Sequence, residues 1–186
     1  MTQPAAISPA SAHPAAAAAG AASDHDQGQY LTFMLGREVL AIGILSIREI
    51  LEYEPPTEVP MMPAFIRGVI NLRGAVVPVV DLAARLNRPS AQVGKKTCIV
   101  IVEVRLAGDT QVVGIIVDAV NEVLEIGSAD IEPPPEMGGM SSARTDYIAG
   151  LGKVGGKFII ILRAERVLAI GELADLGTAG AAAAAA

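Results

Sequence analysis

The sequence has very few of the residues on which catalytic and metal sites depend. Among its 186 residues there is no tryptophan, one cysteine, two histidines, three phenylalanines and three tyrosines. A single cysteine, Cys98, excludes an internal disulfide. His13 and His25 both fall in a leader that we expect to be disordered, where nothing would orient a base or a ligand. The composition therefore favours a protein without catalytic groups, metal or cofactor.

Basic residues and long apolar runs are also scarce. Lys and Arg number 14 against 20 Asp and Glu, which gives a net charge of −6. A nucleic-acid surface needs clustered basic residues and stacking aromatics, so we exclude that class of partner. No apolar run approaches the roughly 18 residues that span a bilayer, so we expect no membrane insertion. Cys98 opens an apolar run, which predicts a buried strand thiol and fits a cytoplasmic location.

Both ends of the chain have little that would join a hydrophobic core. Residues 1–28 are mostly Ala, Pro, Ser and Gly without periodicity, which predicts a disordered leader. A secretory signal is excluded because no Lys or Arg precedes Arg37, and Pro14 and Gly20 interrupt the Ala run. Residues 177–186 predict an Ala-rich tail that is disordered or a frayed helix. The folded domain is expected to span residues 29–176.

Short runs rich in Val, Ile and Leu, separated by Gly, Pro or polar turns, dominate the rest of the sequence. This pattern is typical of small β-barrels and sandwiches. The runs that we predict to be strands are Tyr30–Leu35, Glu38–Ile42, Val69–Leu72, Ala75–Val80, Thr97–Val104, Val112–Val117 and Phe158–Leu162. Four connections place glycine where a hairpin needs a positive φ, at Gly36, Gly74, Gly108 and Gly155.

The sequence contains an internal repeat. Phe65–Leu86 aligns without gaps on Tyr147–Leu168, and Val39–Leu51 aligns without gaps on Val112–Leu124. The two blocks occur in the same order in each half, and a Pro-rich connection separates them both times. We therefore predict two homologous β subdomains, each with a short helix after its last strand, at 81–86 and 163–168.

One glycine pattern could indicate nucleotide binding. Gly150-Leu151-Gly152-Lys153-Val154-Gly155 has the spacing of a dinucleotide-binding loop, but that motif requires a helix after it, and here a strand follows. A phosphate-binding loop is also unsupported, because Leu151 stands in place of its first Gly and Phe158 in place of its Ser or Thr. A small-molecule or nucleotide-binding enzyme remains only a remote alternative.

The turn Asn71-Leu72-Arg73-Gly74 places an arginine at a hairpin tip within an otherwise apolar stretch. The default interpretation of Arg73 is a solvated turn residue. Glu49, like Glu122 in the second half, is by default part of a solvated helix face. Alternatively, two hairpins of one small barrel would bring Glu49 within ion-pair reach of Arg73. Ile47, Ile50 and Leu72 would then line an apolar groove with this ion pair at its rim, which is typical of a protein-binding site.

The segment Pro63–Leu82 closely resembles the signature of the CheW family of bacterial chemotaxis coupling proteins, above all in its Asn-Leu-Arg-Gly turn. The resemblance continues through Val112–Asp118 and Tyr147–Gly152 and covers essentially the whole predicted domain. It implies a mainly β fold of two intertwined, five-stranded SH3-like barrels with short helices and a shared core. It also implies an adaptor that performs no chemistry and needs no cofactor.

The resemblance further implies two partners. They are the regulatory domain of the histidine kinase CheA and the cytoplasmic tips of methyl-accepting chemotaxis receptors, so the protein would be cytoplasmic and recruited to membrane-associated receptor arrays. The receptor-binding positions carried over from the family are Ile47, Glu49, Gly68, Asn71, Leu72, Arg73, Val120 and Val123. Kinase contacts are not assigned to individual residues. The same module in a non-flagellar pathway, such as pilus motility, is the alternative.

Overall fold

The structure is a computed structural model that describes residues 27–106, 108–135 and 146–169. Most of the predicted leader, both histidines and the predicted tail lie outside the described residues. The last two residues of the predicted leader belong to the first strand, which begins at Gln27. No helix within the described ranges has the length and hydropathy to cross a membrane.

The described residues form eleven strands and two short α-helices. The strands are β1 Gln27–Leu35, β2 Glu38–Gly43, β3 Ile47–Glu52, β4 Ile66–Leu72, β5 Ala75–Asp81, β6 Cys98–Leu106, β7 Asp109–Val117, β8 Ala119–Gly127, β9 Ile131–Glu132, β10 Ile148–Val154 and β11 Lys157–Leu162. The helices are α1 Leu82–Arg85 and α2 Ala164–Val167. The mainly β class, all seven predicted strands and both short helices are therefore confirmed.

The strands assemble into two sheets. The six-strand sheet has the order β8-β1-β2-β11-β10-β9, and the five-strand sheet has the order β3-β6-β7-β5-β4. Neighbouring strands are antiparallel except for the parallel pairs β11 with β2 and β5 with β7. Within the described residues neither sheet closes into a hydrogen-bonded barrel, and the expectation of two five-stranded barrels is corrected to two open sheets, one of which has β9 as a sixth strand.

The two sheets are copies of each other and exchange strands. Replacing each strand by its repeat equivalent converts β8-β1-β2-β11-β10 into β3-β6-β7-β5-β4. Even the register is retained, because Ile161 pairs with Ala41 in one parallel pair and their equivalents Val79 and Gly114 pair in the other. Each sheet combines strands from both halves of the sequence. The predicted duplication and intertwining are thus confirmed.

Three clusters of buried apolar side chains hold the sheets together. The largest lies between the sheets and includes Phe33, Leu40, Val102 and Ile115. Each sheet also curls around a smaller cluster of its own, one around Ile161 and the other around Val79, Ile99 and Ile101. Alternate residues of a strand point to opposite faces, so a single strand contributes to the shared cluster on one face and to its own cluster on the other.

Two sequence interpretations are wrong. Glu49 and Glu122 lie on β3 and β8, not on helices. The apolar residues Ile47, Ile50 and Leu51 have helical spacing because a β-bulge between Ile47 and Glu49 inserts one residue into the strand period. Cys98 is half-buried at the start of β6, not fully buried, because it packs against the margin of the shared cluster.

The glycine turns behave as predicted. Gly36, Gly74, Gly108 and Gly155 all have positive φ values between +56° and +90°. Gly150 and Gly152 lie inside β10, so the candidate nucleotide loop is part of a hairpin strand. The strand-to-helix turn that a dinucleotide site requires is not formed by this segment.

Candidate functional site

The β4–β5 turn presents Arg73 at its tip. Leu72 pairs with Ala75 across the hairpin, and the two central residues Arg73 and Gly74 have φ values of +52° and +86°. Positive φ at both central positions is the requirement of a type I′ turn, which matches the twist of a two-residue hairpin. The Asn71 side chain accepts a hydrogen bond from the Gly74 N–H at 2.8 Å and so stabilises this turn.

Arg73 forms a bidentate ion pair with Glu49 of β3. Nη1 donates to Oε1 at 2.9 Å and Nη2 donates to Oε2 at 3.0 Å. The Arg73 side chain is 79% exposed and that of Glu49 is 23% exposed, so the pair lies at the surface. β3 and β4 are the two edges of the five-strand sheet, and the ion pair therefore joins these edges in place of backbone hydrogen bonds. The predicted proximity of the two charges is confirmed.

The ion pair has no counterpart in the other sheet, because the repeat equivalent of Arg73 is Gly155. Gly155 adopts nearly the same conformation, with a φ of +56°. A residue with a Cβ pays roughly 1–2 kcal/mol to enter this left-handed region, whereas glycine enters it freely. The fold therefore tolerates glycine at this turn without strain. Backbone geometry alone does not explain the arginine.

The apolar residues predicted to border the pair have different degrees of burial. Ile50 and, on the hairpin itself, Val76 are exposed. Ile47 packs at the margin of the cluster between the sheets, whereas Leu72 packs against the inner cluster of the five-strand sheet. The structure thus assigns Ile47 and Leu72 to different cores. The exposed apolar surface near the turn comes from Ile50 and Val76.

Gly68 is buried beside a backbone segment and is not at the surface. Val69 N donates to Thr57 O at 2.8 Å and Thr57 N donates to Val69 O at 2.9 Å. A Cβ on Gly68 would overlap the Thr57 carbonyl oxygen, and the φ of Gly68 is +143°. The same close approach recurs in the six-strand sheet, where a Cβ on Gly150 would lie 2.8 Å from Glu132 O. Gly68 therefore holds the segment before β4 against the sheet.

Val120 and Val123 lie on β8, an edge of the six-strand sheet. Val120 pairs with Phe33 of β1 and packs against the cluster between the sheets, and Val123 is exposed. They are the repeat equivalents of Ile47 and Ile50 on β3. The site residues predicted from the sequence therefore lie in both sheets: six are on β3, β4 and the β4–β5 turn of the five-strand sheet, and two are on β8 of the six-strand sheet.

Sequence reasoning did not single out two further surface features. Val76 and its repeat equivalent Phe158 are both exposed on their hairpins, and combining the repeat with strand alternation would have found them. A groove of about 710 Å³ is lined by residues of β1, β2, β8, β9, β10, β11 and α2, together with residues 44–46 and Arg163. No local pattern predicts this groove, because its walls come from distant parts of the chain.

Comparison with known proteins points to one family. Residues 29–172 match the family model described as CheW-like domain. The chain is 35% identical to the chemotaxis protein CheW of Klebsiella aerogenes, over 78% of this chain and 84% of the relative. It is 32% identical to protein FrzA of Myxococcus xanthus, over 73% of this chain and 81% of the relative.

A solved structure agrees with these sequence matches. The chain superposes on the crystal structure of the scaffolding protein TtCheW from Thermoanaerobacter tengcongensis with a TM-score of 0.66 at 34% identity. The match covers 76% of this chain and 92% of that protein.

Proposed function

The chain belongs to the family of CheW-like domains, and from that premise we propose that it is a non-enzymatic adaptor that couples chemoreceptors to the histidine kinase CheA. The observation that carries this proposal is the Arg73–Glu49 ion pair, which occupies a turn where the repeat has glycine. A bidentate guanidinium–carboxylate pair has a fixed geometry and offers a partner both charges at defined positions. That arrangement suits recognition of a partner.

The receptor surface would centre on this pair. Glu49, Asn71 and Arg73 would supply its polar contacts, and the exposed Ile50 and Val76 would supply apolar area beside the turn. Ile47 and Leu72 would hold these strands in place from the two cores. Val120 and Val123 would form a separate contact on the equivalent edge of the six-strand sheet. Partner surfaces of this kind combine an apolar centre with a polar rim. Gly68 would act indirectly, because it is buried and positions the strand that ends in the turn. The regulatory domain of the kinase would contact a different part of the molecule, so that both partners are held at once.

The first test measures partner binding by the purified protein. We expect it to capture both the CheA regulatory domain and a receptor cytoplasmic fragment at low salt. Failure to bind either one would refute the adaptor proposal.

A second test addresses the site itself. Arg73→Glu places two carboxylates at the turn, and we expect it to weaken receptor binding while kinase binding and the fold are retained. The matched control is Arg37→Glu, which makes the same charge change at the exposed β1–β2 hairpin. Equal receptor affinities for the two variants would contradict the site assignment.

A second candidate function is the same adaptor role in a non-flagellar pathway. Its support is the similarity to FrzA, whose identity of 32% is close to the 35% found with the Klebsiella relative. The two candidates differ only in which receptor and kinase are bound. Binding assays with the receptors and kinases encoded beside the gene would separate them, since only the correct pair should form a ternary complex.

A further inference from the structure

The two short helices lie at the junction between the sheets. α1 follows the last strand of the first repeat block, in the five-strand sheet, and α2 follows the equivalent strand in the six-strand sheet. Their buried residues all belong to the cluster between the sheets; they are Leu82, Ala83, Ala164 and Val167. The helices therefore border the one core that both sheets share.

Arg85, the last residue of α1, connects the two helices. Its Nε donates a hydrogen bond to the backbone carbonyl of Val167 at 2.8 Å. Its guanidinium also lies 5.3 Å from the centre of the Phe65 ring. Burial lowers the pKa of Arg85, but an arginine remains cationic at neutral pH. The carbonyl that it binds is at the C-terminal end of α2, where a cation is favoured.

Arg85 and Val167 occupy equivalent positions of the repeat. A contact between a residue and its own equivalent must lie close to the pseudo-twofold axis that relates the two halves. A symmetric arrangement would also have a bond from the side chain of residue 167 to the carbonyl of residue 85. That second bond cannot form, because valine has no donor in its side chain. One arginine therefore connects the halves at their axis.

Two other polar contacts fix the position of α1. Asp81 is buried, caps α1 by accepting from Ala84 N at 3.1 Å, and pairs with Arg67 at 3.4 Å. Beyond α1, Arg88 forms an ion pair at 2.5 Å with Glu38 of β2 in the six-strand sheet. Asp81 thus holds α1 to its own sheet, and Arg85 and Arg88 hold it to the other sheet.

Covalent connections between the sheets are few. Along the strands described here the chain passes from one sheet to the other at residues 44–46, between β2 and β3, and at Asp118, between β7 and β8. Apart from the apolar cluster, the relative position of the sheets depends on these two connections and on the polar contacts that Arg85 and Arg88 make with the other sheet. A directional hydrogen bond restricts rotation more strongly than apolar contacts, which are not directional.

We propose that Arg85 is a positioning residue that sets the angle between the two sheets and so makes binding of one partner sensitive to the other. The proposal rests on the adaptor function above and extends it to the transmission of receptor state. Coupling requires that both binding events bias one shared structural element. In this protein that element would be the α1–α2 junction.

The test compares coupling with affinity in the full-length protein. The dissociation constant of the receptor fragment is measured by calorimetry without and with saturating CheA regulatory domain. We expect the two values to differ by about fivefold or more in the unmodified protein, in the usual range of allosteric coupling. Arg85→Met keeps the apolar stem and should reduce this ratio to about one, while each partner alone binds within about twofold. Arg85→Lys retains a donor and should restore part of the ratio.

The matched control is Arg166→Met, which removes a cation from the exposed face of α2. It should leave the coupling ratio unchanged. An unchanged ratio in Arg85→Met, equal loss in the control, or a ratio of one in the unmodified protein would each overturn the proposal. If Arg85→Met does not fold, Arg85→Gln decides, because its amide nitrogen stands at the position of Nε and can keep the bond without the charge: a coupling ratio of about one in that variant counts against the bond to Val167.

A second measurement separates this proposal from the adaptor function. Spin labels at exposed Gln111 of β7 and Lys153 of β10, in a Cys98→Ser background, report the distance between the sheets by pulsed electron resonance. Arg85→Met should broaden that distance distribution, and Arg166→Met should not. A protein that binds neither partner refutes the adaptor function, whereas an unbroadened distribution refutes the role of Arg85.

Discussion

At the scale of single residues, Arg73 combines a conformational cost with a surface ion pair. Its left-handed backbone opposes folding by roughly 1–2 kcal/mol. The exposed pair with Glu49 contributes about 0–1 kcal/mol, because solvent screens it. The two effects nearly cancel, so the residue adds little to stability. The fold therefore does not require an arginine at this position.

Arg73→Gly should therefore leave the protein as stable as before, within about 1 kcal/mol in urea unfolding, since glycine accepts this φ without strain. Receptor binding should fall because the guanidinium is lost. A loss of more than about 2 kcal/mol in stability would show that the ion pair is mainly structural. Arg37→Gly at the other hairpin provides the control for loss of an exposed charge.

Gly68, in contrast to Arg73, is a residue on which the stability of the fold depends. Gly68→Ala should destabilise the protein by at least about 2 kcal/mol, because the new methyl group overlaps the Thr57 carbonyl and the backbone is strained. Gly74→Ala is the control: its φ is also positive but the space around it is open, so only about 1 kcal/mol should be lost. Equal thermal shifts in both variants would contradict the close-approach role of Gly68.

At the scale of elements, the two short helices differ in how they begin. Asp81 caps α1 with its side chain, whereas its repeat equivalent Arg163 makes no side-chain cap at α2. Asp81→Ala should cost about 1–3 kcal/mol, since it removes the cap and leaves Arg67 without its carboxylate. Arg163→Ala should change stability by less than about 0.5 kcal/mol. Chemical denaturation measures both, and similar losses would mean that the cap contributes nothing.

The edge strands show why hydrophobic periodicity does not identify every strand. β3 has apolar residues at helical spacing because of its bulge, and β8 shares that sequence pattern through the repeat. Edge strands also carry charged residues, which blunt their pairing with other chains. Both effects remove the simple alternation by which a strand is recognised. The strong apolar runs of β6 and β7, buried in the middle of a sheet, have no such ambiguity.

At the scale of the whole molecule, the exchange of strands makes the halves interdependent. β1 and β2 pair with β8 and β11, while β6 and β7 pair with β3 and β5. A half separated from the other would expose long unpaired edges and most of the shared cluster to water.

We therefore expect that cleavage of the chain between Gln92 and Val93, in an exposed loop, gives two fragments that are unfolded alone. Mixed at equal concentrations they should reassemble, because the complete set of strand pairs is then available. Dispersed amide resonances in the NMR spectrum would appear only in the mixture. A dispersed spectrum from either fragment alone would show that one half can complete its own sheet.

By itself the sequence determined the β class, the main strands, the turns and the duplication, because these depend on local alternation, glycine conformation and alignment of one half on the other. The likeness of the Asn-Leu-Arg-Gly segment to one family also followed from the sequence alone. Only the tertiary structure decided which strands pair, which strands the halves exchange and that Arg85 meets Val167. It also decided between the two interpretations of Arg73, a solvated turn residue or a partner of Glu49. Those contacts join residues far apart in the chain, and they depend on the twist, bulges and packing of whole sheets, which no short stretch of sequence specifies.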